Sequence, residues 1–239
     1  MKPATPPRPA HAETHRIHKA SWLRAAVLGA NDGLISTSGL VVGMAAAGTE
    51  LRTLLLTAAA GLTAGAFSMA AGEYVSVSSQ ADVEKADRAL EARELAEKPE
   101  WELQELAAIY RQRGLSPELA AQVARELSAH NALDAHLRDE LGITSHSQAH
   151  PLQAALASAS SFVVGALLPI VVVALWHGPH LTTVLTGATL LLLALLGAVA
   201  ARLGGAPIGP GAARVLLWGA LAMGASAAIG KLFGAGPVG

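Results

Sequence analysis

The chain has no cysteine, few aromatic residues and no acidic residue after Glu140. Without cysteine there is no disulfide framework and no thiolate metal site. Any metal ligand must be a carboxylate, imidazole, thioether or carbonyl. Charged residues make up only 15% of the 239 positions and hydrophobic ones 52%, a balance that fits a membrane protein. The charge is unevenly placed: 14 of 18 acidic residues lie between Asp82 and Glu140. The formal net charge of −1 therefore averages an acidic middle with nearly uncharged flanks, and no basic surface for nucleic acid emerges. The stretch Met1–Lys19 is rich in Pro and His and has no apolar core, so it reads as a disordered tail rather than a signal peptide. Its histidines, among them His11, His15 and His18, are read as incidental.

Five stretches reach the roughly 20 apolar residues that a bilayer crossing takes. They are Arg24–Ala47, Leu51–Ser78, Leu152–Trp176, Leu181–Ala201 and Ala212–Ile229. Pro169 lies inside the third and is expected to kink it without ending it. The organisation that follows is a tail (1–21), spans one and two (22–79), a polar helical insert (80–150) and spans three to five (151–239). Lys2, Arg8, Arg16, Lys19 and Arg24 face a single Glu13 on the N-terminal flank, which puts that flank, and with it the insert, in the cytoplasm.

Asp32 is the one ionisable residue in the run Ala25–Ala47. A carboxylate at membrane depth costs a few kcal/mol by insertion scales, so a cation-handling role is the expected reason for its presence. Only Gly48–Glu50 separates the first two spans, which must run antiparallel. At the helical rise, Asp32 lies about 12 Å, Met69 about 14 Å and Glu73 about 8 Å from the cytoplasmic ends of their spans. Met69 and Glu73 share one helix face at i, i+4. Two carboxylates and a thioether at one depth suit a borderline divalent ion such as Fe²⁺.

The insert reads as three helices. The first continues the second span to Lys98 and stops at Pro99. The second runs from Glu100 to Arg113. The third is capped by Ser116 and runs unbroken to Leu141. Glu84, Asp87, Glu91 and Glu94 form an acidic stripe, and Glu102 and Glu105 share a face. Glu126 pairs with His130, and His136 with Glu140, at i, i+4. An acidic stripe alone is most often a solvated face. Histidines in the same insert, and a membrane carboxylate on the same chain, raise the metal reading.

The runs Asn31-Asp32-Gly33-Leu34-Ile35-Ser36-Thr37 and Ser68-Met69-Ala70-Ala71-Gly72-Glu73-Tyr74-Val75-Ser76, together with the acidic insert, resemble the vacuolar iron transporter family. The likeness covers nearly everything from Trp22 to Phe233. It implies an all-α membrane protein with five transmembrane helices and a three-helix cytoplasmic metal-binding insert between the second and third. It also implies a homodimer with the ion path at its interface, and exchange of Fe²⁺ or Mn²⁺ for protons. Asp32 and Met69 take the family's membrane aspartate and pore methionine. Glu91, Glu94, Glu102, Glu105 and Glu140 take its insert glutamates, and His136 falls where the plant branch has a methionine. The plant members' glutamate two turns before the pore methionine is Gly61 here. Glu73, one turn after it, is similar to the nodulin-like and bacterial branch.

The expected function is export of a divalent metal from the cytoplasm in exchange for protons, without enzymatic activity or a prosthetic group. The expected partners are lipid, protons and a second copy of the chain. Beyond Fe²⁺ and Mn²⁺, the ligand types also admit Zn²⁺, Co²⁺ and Ni²⁺. The alternative is a membrane-anchored metal store or ferroxidase-like protein, and a further rival is a structural membrane protein whose insert binds a partner helix. Di-iron bundles use Glu-x-x-His at i, i+3, which this insert lacks. Composition rich in Ala, Leu, Arg and Gly suggests a bacterial plasma membrane.

Overall fold

Wherever the sequence runs apolar for 20 residues or more, the chain is helical. The computed structural model describes residues 17–143, 149–176, 178 and 180–234, with side chains from residue 26 onward. Its elements in order are α1 (Ile17–Ala46), α2 (Leu51–Glu97), α3 (Pro99–Gln112), α4 (Pro117–Asp139), α5 (Pro151–Leu175), α6 (Leu181–Gly204) and α7 (Ile208–Gly234). The described residues are all helix, turn or loop. They divide into two units, residues 1–70 with 156–239, and residues 71–155.

In the first unit, Val41, Val42, Leu54, Ala58, Val173, Leu185 and Met223 close the core between α1, α2, α5, α6 and α7. Small residues let backbones meet where no side chain would fit. A Cβ on Gly33 would land on the Phe162 carbonyl, and one on Gly165 on the Ala30 carbonyl, so α1 and α5 touch backbone to backbone. Further along α1, a Cβ on Gly230 of α7 would strike the Gly43 carbonyl, and one on Gly234 would strike Ala47. One buried polar contact crosses the bundle, Ser38 Oγ to Thr189 Oγ1 at 2.8 Å. The outer faces carry Phe67, Leu175, Trp218 and Phe233, each more than two-thirds exposed, the pattern expected where lipid rather than water is the neighbour.

Among the described residues, four helices, α2, α5, α6 and α7, are long and apolar enough to cross a membrane. The first expected span falls on α1, which is 30 residues long. As expected, α2 runs without a break through the end of the second apolar stretch, and α5 continues through the buried Pro169. The helix of α1 begins at Ile17, inside the stretch expected to be tail; residues 1–16, with His11 and His15, lie outside the described residues, as does the side chain of His18.

The second unit is built on α3 and α4 with part of α2. Leu106, Ala124 and Ala135 form its buried centre, flanked by Leu103, Ala107, Tyr110 and Leu127. Ser116 Oγ accepts from Leu119 N at 3.3 Å and Pro117 fills the first helical position, as the capping pattern predicts. The expectation of one unbroken helix to Leu141 is not met. Asn131 has φ −163° and ψ 94°, and its Oδ1 accepts from Asp134 N at 3.1 Å. Asn131 is thus the N-cap of a second short helix rather than an interior residue. Gly142, at φ 69°, turns the chain away after the last turn.

Candidate metal centre

Three helices of the second unit each place one ionisable side chain at the same point. Glu91 comes from α2, Glu102 from α3 and His136 from α4, and their ligand atoms lie within 4.8 Å of one another. His136 is fully buried, while Glu91 and Glu102 are 4% and 7% exposed. His136 Nδ1 lies 3.0 Å from Glu91 Oε1, 3.8 Å from Glu102 Oε2 and 3.2 Å from Glu140 Oε2. Glu140 closes the rim from the turn after His136. Glu102 stands one turn before Leu106 on the buried face of α3, and Leu106 packs with Ala135 to hold α3 against α4.

The group is under-satisfied. Glu91 Oε1 is close to the imidazole but off the direction a hydrogen bond needs, so it has no partner, and buried His136 Nε2 has none either. Three carboxylates around one imidazole stay net negative even when the imidazole is protonated. Burial pushes the Glu91 carboxyl above its ordinary value of 4.5; Glu140 adds to the rise, His136 opposes it, and Glu102 and Glu94 add smaller pushes. Burial likewise raises Glu102, with Glu105 next and His136 opposing. Buried anions in excess call for a cation or for protons. Three carboxylates and one imidazole are a donor set for Mn²⁺, Fe²⁺, Co²⁺, Ni²⁺ or Zn²⁺.

Of the eight insert residues expected to bind metal, Glu91, Glu102, His136 and Glu140 converge, and Glu94 and Glu105 lie close enough to act on their charge. Glu126 and His130 are exposed, and Glu126 accepts instead from Gln122 Nε2 at 3.0 Å. Both precede the break at Asn131, which turns the following helix independently of the face they occupy. Beside the acidic group stands a second cluster that the sequence reading missed. Asp139 accepts from Tyr110 Oη and Arg113 Nη1, each at 2.7 Å, and from Arg138 Nη2 at 3.0 Å. Burial alone would raise its carboxyl, but these three donors outweigh it and hold it at about 2. No motif in the sequence marks this cluster.

In the first unit, Asp32 is exposed on α1, and Ser36 Oγ donates to its backbone carbonyl at 2.6 Å. Ion pairs among the described residues all lie in the second unit, so none of them neutralises Asp32. Next to it, Asn31 Oδ1 is buried without a partner, as is Thr37 Oγ1 two turns on. Met69, in the first unit, and Glu73, in the second, are both half-buried on α2. At Gly61 a Cβ would meet just the flexible end of the Leu40 side chain, at 2.6 Å.

A bundle of apolar helices, joined in one chain to an acid-rich helical unit with a buried Glu-Glu-His group, defines an integral membrane protein equipped to hold a divalent cation. The family match is direct. The chain aligns with the VIT family over residues 23–231 and belongs to it. It is 46% identical over 224 residues to the vacuolar iron transporter of Acanthamoeba castellanii, covering 92% of this chain and 82% of that protein. It is 36% identical over 217 residues to vacuolar iron transporter homolog 1 of Arabidopsis thaliana, covering 90% and 85%. To VIT-like transporter 1b of Glycine max it is 33% identical over 227 residues, covering 94% and 82%.

Proposed function

We propose that this protein exports a divalent metal ion, Fe²⁺ or Mn²⁺, from the cytoplasm in exchange for protons. The observation that carries the reading is the buried group of Glu91, Glu102 and His136, completed by Glu140, in a chain whose relatives are named iron transporters. The group collects the ion on the cytoplasmic side, with Glu94 and Glu105 drawing cations toward it. Asp32, Met69 and Glu73 form the membrane pathway, and protonation of a membrane carboxylate releases the ion on the far side. A homodimer supplies the second wall of that path. The compartment is a bacterial plasma membrane on composition; in the vacuolar setting of the relatives' names, export would also leave the cytoplasm. The transporter performs no covalent chemistry and is not an enzyme.

The test is uptake of Fe²⁺ and Mn²⁺ into proteoliposomes loaded with a pH-sensitive dye. Wild type should take up metal with matched proton movement, and Asp32→Ala should lose most of the uptake. Full transport by Asp32→Ala would remove the membrane pathway from the proposal. The depth of burial favours one second reading, a membrane-anchored metal store, because a closed site releases its ion slowly. Metal binding without entry in the same assay would select it.

A further inference from the structure

The last two turns of α4 are fastened at both ends, and the acidic group hangs on what lies between. At the near end, Asn131 breaks the helix and caps the segment 132–139 through Asp134 N. At the far end, Asp139 is tied to the end of α3. Its carboxylate accepts from Tyr110 Oη and Arg113 Nη1, and Arg113 Nη2 also donates to its backbone carbonyl at 2.9 Å. The guanidinium of Arg113 lies 5.3 Å over the Tyr110 ring, which fixes the donor's own position. The Asp139 side chain is 9% exposed. Such a two-point grip by one arginine sets direction as well as distance.

His136 lies one turn before Asp139, and Glu140 directly follows it. Each residue turns a helix by about 100°, so a modest rotation of this short segment would swing the imidazole away from Glu91 and Glu102. None of Tyr110, Arg113 and Asp139 supplies an atom to the acidic group. Asp139 is neutralised by two arginines, so what it passes on is position rather than charge.

We propose that Asp139, held by Tyr110 and Arg113, is a positioning residue: it locks segment 132–139 on α3 so that His136 and Glu140 face Glu91 and Glu102 before a metal ion arrives. This rests on the metal reading of the acidic group. Tyr110→Phe is the sharpest probe, since it removes one hydroxyl and no charge.

The full-length chain in detergent is titrated with Co²⁺, following its visible d–d absorption, for wild type, Tyr110→Phe, Asp139→Asn and Glu91→Gln. Helix content is measured on the same samples. Tyr110→Phe should keep its helix content, bind Co²⁺ about 10-fold more weakly, and show an altered d–d band. Asp139→Asn should lose more. A merely structural role would lower thermal stability and leave the band of the folded protein unchanged. Affinity within twofold of wild type and an unchanged band in Tyr110→Phe overturn the proposal, whether or not Asp139→Asn folds. Wild-type binding by Glu91→Gln would sink the acidic group itself and the lock with it. Loss in Glu91→Gln beside an unchanged Tyr110→Phe sinks the lock alone.

Discussion

Replacing Glu91 by Gln should push the metal-free and the metal-bound protein in opposite directions. Glu91 is 4% exposed and faces an imidazole already shared with Glu102 and Glu140. The amide keeps the volume and removes one buried charge from a group with two too many. Removing the last partner of a buried charge is destabilising, but His136 keeps two carboxylates here, and the desolvation cost of the third disappears. The metal-free unit should therefore gain roughly 1 kcal/mol, at the low end because His136 also gives up an attraction. With metal the sign reverses. At an ion concentration 100 times the dissociation constant, binding stabilises wild type by about 2.7 kcal/mol. If losing an anionic ligand weakens binding about 100-fold, the upper end for a change around a metal site, the same concentration yields only about 0.4 kcal/mol. Amide hydrogen exchange along α3 and α4 of the full-length chain, with and without Mn²⁺, reads both numbers as local opening energies. Two results would refute the reasoning: slower exchange with Mn²⁺ in the variant by as much as in wild type, or faster exchange without metal.

The remaining predictions concern pH, a cap and a helix contact. Glu91 and Glu102 have raised carboxyl values, so their contribution to metal-free stability is fully present below 4.5 and is lost as pH rises through the raised values. Asp139 works the other way, contributing above 3.8 and failing only as pH falls through about 2. Protection of metal-free α3 and α4, corrected for the intrinsic exchange rate at each pH, should accordingly fall as pH rises through those raised values, and Mn²⁺ affinity should rise over the same interval; a flat profile in both would contradict the buried-anion account. Asn131→Ala removes the cap at the break and should cost about 1 kcal/mol of protection in residues 132–139, with residues 117–130 little changed. Gly33→Ala drives a methyl into the Phe162 carbonyl and should cost about 1–3 kcal/mol, visible as a lower melting temperature in detergent. An unchanged melting temperature would mean that α1 and α5 are not in contact there.

The helices were largely legible because their signals are local. Apolar length marks α2, α5, α6 and α7, while Pro99, Ser116-Pro117 and Gly142 mark where helices of the insert start and stop. The break at Asn131 was missed because Leu127, Ala132, Leu133 and Leu137 continue the helical spacing across it, and only the cap residue hints otherwise. The candidate site was legible residue by residue but not as a group. Spacing pairs His136 with Glu140, yet nothing local brings Glu91 and Glu102 to the same imidazole; for Glu102 the packing of Leu106 with Ala135 does that. The same spacing gave Glu126 and His130 equal standing, and only the turn of the chain at Asn131 separates them from the others. Tyr110, Arg113 and Asp139 carry no motif, since their pairing depends on where α3 ends relative to α4.

The glycine contacts along α1 have a mechanical consequence. Gly29 and Gly33 lock its first half into α5, and Gly39 and Gly43 lock its second half into α7, with carbonyl oxygens and small side chains acting as the teeth. A helix meshed on two sides over its length can neither spin about its axis nor slip by a fraction of a turn without first prising its neighbours apart. Any motion that shows Asp32 alternately to the two faces of a membrane must carry α1, α5 and α7 as one piece, so the sliding surface lies outside that trio.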